Sequence, residues 1–369
     1  MASNRKTRVA IVFGGQSAEH EISILSARNV LEALDRSRFE PLLIGIDKTG
    51  RWLVQKEQTL LTAPRDPRKV QIEAGDPIQL SAPLAAHAPD AVAGDQRIDV
   101  IFPVLHGTLG EDGAMQGLFE VAGIPYVGAG VLGSAIGMDK DVMKRLLRDA
   151  EIPVAEFRTV RRERFDADPR QVCHELATLG YPLFTKPANA GSSVGIRKVT
   201  AAEELESAIR FAFEFDYKIL AEKAIVGREI ELAVLGGSPA SVSVPGEIVV
   251  QHPDGFYSYD AKYIDEHGAT LKLPAQISSQ QCADAQALAI HAFEVLECEG
   301  MARVDLFMQP DGGLLVNEIN TIPGFTAISM YPKLWALSGV PPSALVTRLI
   351  DLALQRGQRK VDIRRTITR

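Results

Sequence analysis

Two carboxylates, an amide and an arginine stand at spacings that fit one face of a strand pair late in the chain. Arg303, Asp305, Glu318 and Asn320 sit in the runs Ala302 to Met308 and Leu314 to Asn320, which flank Gln309-Pro-Asp-Gly-Gly313. Asp-Gly between two strand-like runs predicts a tight hairpin. With Asp311 and Gly312 as its two loop residues, Asp305 falls opposite Glu318 and Arg303 opposite Asn320. The strand period of two then puts all four on one face and leaves Val304, Leu306, Met308, Leu315 and Ile319 for the core. Carboxylates directly across a ladder are only ~5 Å apart at Cβ and repel, so such a pair normally holds a cation between its members. Asn320 adds a neutral oxygen, and an all-oxygen set suits Mg2+, which shares its shell with phosphate and water. The competing reading is a solvated hairpin in which Arg303 merely neutralises Asp305. Thr321-Ile-Pro-Gly324 follows at once and weighs against it, because Gly324 allows a backbone N–H to approach a ligand closely.

Phosphate chemistry is suggested by two lysines. Lys140 lies in the first turn of a helix capped by Asp139, where a cation opposes the helix dipole unless an anion binds there. Lys186 ends a strand just before Ala188-Asn-Ala-Gly-Ser-Ser-Val-Gly195, a small, glycine-rich loop whose N–H groups can fold over phosphoryl oxygens. Either lysine alone reads as an ordinary surface residue; beside a Mg2+ site the two outline a triphosphate. Two motifs lead elsewhere, and a third is missing. Gly128-Ala-Gly-Val-Leu-Gly133 matches the dinucleotide fingerprint but follows only Pro125, Tyr126 and Val127, with no acid closing the next strand. Gly191-Ser-Ser-Val-Gly195 matches a nucleophile elbow but leads into the strand Ile196 to Val199 when it should enter a helix. No Walker-type phosphate loop occurs, so any ATP site uses another architecture.

The elements that carry these residues alternate. A strand at Arg8 to Phe13 ends in Gly14 and Gly15, and Ile24, Ala27, Leu31 and Leu34 recur at helical spacing; Pro41 to Ile46 and Ile98 to Leu105 are further strands. This alternation predicts a parallel sheet covered by helices. Residues 64 to 89 hold five of the 21 prolines and read as a surface excursion. The Asp139-capped helix runs to about Ala150, with Pro153 ending it and a domain boundary nearby. Beyond it a small mixed unit comprises strands at Pro182 to Pro187 and Ile196 to Val199, a helix opened by the capping box Thr200-x-x-Glu203, and strands at Lys218 to Glu222 and Glu229 to Leu235. From Arg356 on, six basic residues face a single acid, the composition of a frayed, solvated end. Length suggests two or three domains. A formal charge of -7 gives no electrostatic reason to expect nucleic acid, and no apolar run reaches the ~20 residues of a membrane span. Cys173, Cys282 and Cys298 have no metal or disulfide spacing and fit reduced packing residues, so the expected compartment is the cytoplasm.

With Lys140, Lys186, the Gly-Ser-Ser-Val-Gly loop, Arg303, Asp305, Glu318 and Asn320 assembled, the chain resembles the ATP-grasp carboxylate-amine ligases, and among them the D-alanine–D-alanine ligase family. Six separated motifs carry the resemblance: residues 12–23 (Val-Phe-Gly-Gly-Gln-Ser-Ala-Glu-His-Glu-Ile-Ser), 103–113, Met138-Asp-Lys140, 186–195, Ala261-Lys-Tyr263 and 317–326. The resemblance implies an α/β, three-domain ATP-grasp architecture: an N-terminal Rossmann-like parallel-sheet substrate domain over 1–138, a central ATP-grasp domain over 139–226, and a C-terminal ATP-grasp domain over 227–369. It also implies ATP as co-substrate, two Mg2+ or Mn2+ ions on Asp305, Glu318 and Asn320, and a homodimer formed through the N-terminal domain, with neither membrane nor nucleic acid as a partner. Lys140 and Lys186 would then hold the phosphates, with Ser193 and Lys262 among the ATP-binding residues; Glu222, Lys223, Ala224 and Ile225 would lie along adenine and Glu229 on the ribose. Ala224 is smaller than the aromatic residue some relatives place against the base. Glu19, linked to Ser192 and Tyr263, would receive the ammonium of the first D-alanine. His106 would lie near the substrate carboxylates, Arg303 and the Gly324 N–H would form an oxyanion site, and Ser329 and Met330 would contact the second D-alanine. Gly246 to Pro274 is the expected lid, and Tyr263 favours a dipeptide over a depsipeptide product. From the residues alone, the reading stops at Mg-ATP-dependent activation of a carboxylate.

Overall fold

The computed structural model describes residues 5–77, 80–81, 92–93, 96–251 and 268–364. Val9, Ala10, Ile11, Val12 and Phe13 are all buried, so the strand Thr7–Gly14 is covered on both faces, as the centre of a parallel sheet must be. Phe39–Ile46 and Val100–Pro103 flank it in parallel, and Trp52–Gln55 pairs antiparallel at the outer edge. The helix His20–Ala33 buries Ile24, Ala27 and Leu31 against this sheet. The last of these strands is shorter than the Ile98 to Leu105 run that the sequence suggested.

A second sheet is wholly antiparallel, in the order Arg197–Val199, Leu183–Pro187, Lys218–Lys223, Phe157–Arg161. Its core, with Val160, Phe165, Leu183, Leu205 and Ile219, is separate from the others. Arg228–Gly236 does not join this unit as expected: it pairs along its whole length with Gly300–Met308 in a third sheet that also holds Gly246–Val250, Ala269–Lys272, Ala240–Val242 and Leu314–Asn320. Adjacency in sequence misled there, because the Val226-Gly227 turn carries the chain from one sheet to the next. The capping box also falls one residue later than expected: Glu204, not Glu203, accepts from Thr200 N (2.7 Å) and Thr200 Oγ1 (3.0 Å).

The helix Lys140–Asp149 starts as its cap residue predicts, with Asp139 Oδ1 accepting from Val142 N at 3.0 Å. Its Met143 and Leu147 pack into the third sheet's core with Ile230, Phe293, Val304 and Leu306. The helix Val131–Met138 follows Gly130, and a Cβ at Gly133 would lie 2.5 Å from Glu297 O, so that glycine serves close packing. The C-terminal tail is not frayed from Arg356. The helix Pro342–Val361 runs through it, buried Arg356 donates to Tyr126 O and Gly128 O, both at 2.6 Å, and Lys360 pairs with Glu120. Of the expected lid, Gly246–Val250 and Ala269–Lys272 are paired strands, while residues 252–267, with Lys262 and Tyr263, lie outside the described residues.

Candidate active site

The hairpin has the expected pairs, Arg303 opposite Asn320 and Asp305 opposite Glu318, for a reason the sequence did not show. The loop spans five residues, closed by Gln309 N to Gly313 O (2.8 Å), which alone would displace the register by one. A bulge between Asp305 and Leu306 restores it by setting Leu306 opposite Val316, so that Asn317 is the extra residue. Val316 therefore takes the core place expected of Leu315, which pairs with Phe307 and is only half-buried.

On this face the guanidinium of Arg303 grips Asp305 side-on, with Nε to Oδ1 and Nη2 to Oδ2 both at 2.7 Å, and Nε lies 3.1 Å from Glu231 Oε2. Burial works against the cation, but the Asp305 and Glu231 carboxylates outweigh it and hold the Arg303 pKa well above its ordinary value. Asn320 Nδ2 donates to Asp305 Oδ2 at 3.0 Å. Lys140 Nζ lies 3.7 Å from Glu318 Oε2 and donates to Ala190 O at 2.7 Å, which ties the glycine-rich loop to the helix start. Within that loop Ser192 and Ser193 both take left-handed φ values, of 49° and 60°. Side chains rarely occupy that region outside strained functional segments. Ser192 Oγ donates to Glu19 Oε1, joining the second sheet's loop to the first domain.

Two cavities meet here. The larger, about 530 Å³, is lined by Glu19, His106, Arg303, Asn320, Gly324, Ser329 and Met330 among others. The smaller, about 160 Å³, is lined by Lys186, Ser193, Glu222, Lys223, Ile225, Glu229 and Asp305 among others. Lys140, Ser192, Glu231 and Glu318 line both. Ala224 lies outside the lining, its N–H bonded to Pro182 O at 3.1 Å. His106 is buried, with Nδ1 3.0 Å from Ile322 O and Nε2 3.2 Å from Ser26 Oγ. Burial lowers its pKa. Ser329 Oγ accepts from Thr326 N at 3.0 Å, and a Cβ on Gly324 would come within 2.8 Å of that Oγ.

A family model for the D-ala D-ala ligase N-terminus matches residues 8–129, and one for the C-terminus matches residues 146–351. The chain belongs to the D-alanine–D-alanine ligase family. It is 50% identical over 358 residues to D-alanine--D-alanine ligase A of Chromobacterium violaceum, covering 96% of each chain. It is 49% identical to the Escherichia coli K12 ligase A, covering 95% of this chain and 96% of that one. Among solved structures it superposes on the Coxiella burnetii D-alanine-D-alanine ligase with a TM-score of 0.82 at 37% identity, covering 96% of each. It superposes equally on a D-Ala:D-Ser ligase from Enterococcus faecalis, with a TM-score of 0.82 at 36% identity, covering 95% of this chain and 100% of the other. The ATP-grasp architecture and the ATP-dependent ligase chemistry of this family are those that the motifs implied.

Three charged residues of the site escaped the sequence reading. Glu231 lies opposite Asp305 on the neighbouring strand, and the Glu229-x-Glu231 alternation was the available signal. Glu111 accepts from Gly107 N (2.6 Å) and Ile322 N (3.3 Å), strapping the first domain to the Ile322–Gly324 turn; its glycine-rich setting gave little sign of burial. Lys144 shares a helix face with Lys140, Met143 and Leu147, so a lysine on an apolar stripe marked it.

Proposed function

We propose that this chain joins two D-alanines into D-alanyl-D-alanine at the expense of ATP, through a D-alanyl phosphate, and so supplies the dipeptide of peptidoglycan precursors. The observation that carries this reading is the shared wall of the two cavities, where Glu318 of the hairpin and Lys140 stand between the side that Asp305, Lys186 and Glu229 line and the side that Glu19 and His106 line. The donor set fits two Mg2+ ions: Asp305 and Glu318 oppose each other across the ladder, Asn320 adds an amide oxygen, and all the donors are oxygens. When bound, these ions would offset phosphate charge and polarise the transferred phosphoryl group.

Within this reading Lys140 and Lys186 hold the phosphates, Ser193 and Lys262 are further ATP contacts, Glu229 takes the ribose hydroxyls, and Glu222, Lys223 and Ile225 border adenine, with Ala224 turned out of the cavity. Glu19, held by Ser192, receives the ammonium of the first D-alanine. That substrate's carboxylate attacks the γ-phosphorus, and the bond from phosphorus to the ADP oxygen breaks. The amine of the second D-alanine, having lost a proton, then attacks the acyl carbon, and phosphate departs as the carbon–oxygen bond breaks. Arg303 and the Gly324 N–H face the tetrahedral oxyanion, a contribution of ~3 to 4 kcal/mol per donor. His106 borders the substrate carboxylates, and Ser329 and Met330 border the second D-alanine. The segment that joins the strands Gly246–Val250 and Ala269–Lys272 closes over the acyl phosphate and excludes water.

We further assign the domains to 1–138, 139–226 and 227–369, and the compartment to the cytoplasm, where ATP is available. Among the described residues no single helix is long and apolar enough to cross a membrane. A homodimer through the first domain is supported by exposed Leu118, Val121, Val131 and Leu132 on the contacting helices Ala114–Ala122 and Val131–Met138. Phosphate release from Mg-ATP, with mass analysis of the product, tests the activity. D-alanine alone should suffice and yield the dipeptide, whereas L-alanine should release nothing. Turnover that required D-serine or D-lactate beside D-alanine would replace the second substrate, and absence of turnover with all of them would overturn the reading.

A further inference from the structure

Lys144 is fully buried, lines neither cavity, and has no part in the mechanism above. Its Nζ lies 2.8 Å from Glu222 Oε2, while Lys186 Nζ donates to Glu222 Oε1 at 2.7 Å. One carboxylate, 3% exposed, thus stands between two lysine nitrogens; burial lowers the Lys144 pKa, Glu222 supports its charge, and the neighbouring Lys186 opposes it. Burying a cation is strongly unfavourable unless it is paired, and Glu222 already has a counter-ion in Lys186. Beside Lys186 the second cation is therefore surplus. It ceases to be surplus once nucleotide binds, because Lys186 lines the nucleotide cavity and must turn its donors toward phosphate. Burial drives Glu222 toward the neutral acid, and only the two neighbouring lysines reverse this and hold its carboxyl below the ordinary range. With Lys186 drawn away, Lys144 is the remaining cation against it.

We propose that Lys144 is the resident counter-ion of Glu222, a positioning residue that keeps this carboxylate ionised while Lys186 serves phosphate, and so selects a base that carries an amino group. An ionised carboxylate only accepts hydrogen bonds: it pairs with the 6-amino group of adenine and repels the 6-oxo group of hypoxanthine, whereas a protonated carboxyl donates to that oxygen. The inference rests on the reading that Glu222 lies along adenine.

The test compares kcat/KM for ATP and ITP. The unmodified protein should favour ATP by about tenfold or more, as a site built around a hydrogen-bonding group does; equal use of both would overturn the inference without any variant. Lys144→Met, and Lys144→Gln as the polar near-isostere if the first does not fold, should collapse that ratio toward one while leaving KM for D-alanine unchanged. A general loss of stability would not move the ratio. Glu222→Gln should also collapse it, and adding Lys144→Met to that variant should change it no further. A ratio untouched by Glu222→Gln would refute the adenine reading itself. A ratio sensitive to Glu222→Gln but indifferent to Lys144→Met and Lys144→Gln would leave that reading intact and refute the role of Lys144.

Discussion

Replacing Glu111 with glutamine should remove a proton switch from the amino-acid side of the site. Glu111 is buried on the wall of the larger cavity, where burial first and the Glu19 carboxylate second push its pKa up to about 8, against two backbone N–H bonds and Arg303. In the folded protein it therefore keeps its proton between pH 4.5, the ordinary value, and about 8, while in the unfolded chain it does not. The native state binds more protons in that window, so its stability falls as pH rises through it, by at most ~1.4 kcal/mol per unit, and levels off above pH 8. An ammonium arriving at Glu19 relieves the repulsion and lowers the Glu111 pKa, so D-alanine binding should expel a proton. Its affinity should then rise with pH, by up to about tenfold per unit, until pH 8. Glu111→Gln should flatten both profiles. It should also weaken the Ile322 strap, because one amide oxygen cannot serve both the Gly107 and Ile322 N–H groups, a loss of ~1 to 3 kcal/mol. Calorimetric titration of D-alanine in two buffers of different ionisation enthalpy, with a non-hydrolysable ATP analogue present, counts the protons directly. No proton release by the unmodified protein at pH 7, or the same release by the variant, would refute the reasoning.

Asp305→Asn leaves one carboxylate in the metal set and should raise the Mg2+ concentration for half-maximal activity by about tenfold or more, with a smaller effect on KM for D-alanine; an unchanged Mg2+ titration would count against the hairpin as the metal site. Arg356→Met strands the Tyr126 and Gly128 carbonyls that the guanidinium now satisfies and removes its stacking 4.4 Å above the Tyr126 ring. Urea unfolding should show a loss of ~2 to 4 kcal/mol with KM values unchanged, and a variant as stable as the parent would contradict the packing role of this helix end.

The residues that identify the chemistry were readable because they lie in local patterns, and those that tune it were not. Asp305 and Glu318 could be paired from a hairpin pattern alone, although the pairing rests on two offsetting irregularities, a five-residue loop and the Asn317 bulge. Neither could be seen in the sequence, because a bulge is fixed by packing of Leu306 and Val316 into a core made by distant segments. Arg228–Gly236 was a readable strand with an unreadable partner, since sheet membership depends on the Gly300–Met308 strand some seventy residues later. Composition suggested a solvated tail after Arg356, whereas the carbonyls that bury its guanidinium belong to residues 126 and 128. Glu111, Glu231 and Lys144 owe their character to burial beside partners from other segments, which spacing does not encode.

The transfer of a carboxylate oxygen from D-alanine to phosphate is the central chemical claim, and isotope tracing tests it most directly. D-alanine labelled with 18O in both carboxylate positions is turned over with Mg-ATP, and the released phosphate is analysed by mass. The acyl phosphate route predicts one 18O atom in each phosphate formed, matched by one D-alanyl-D-alanine. Unlabelled phosphate accompanying the dipeptide, or label found in AMP, would contradict it.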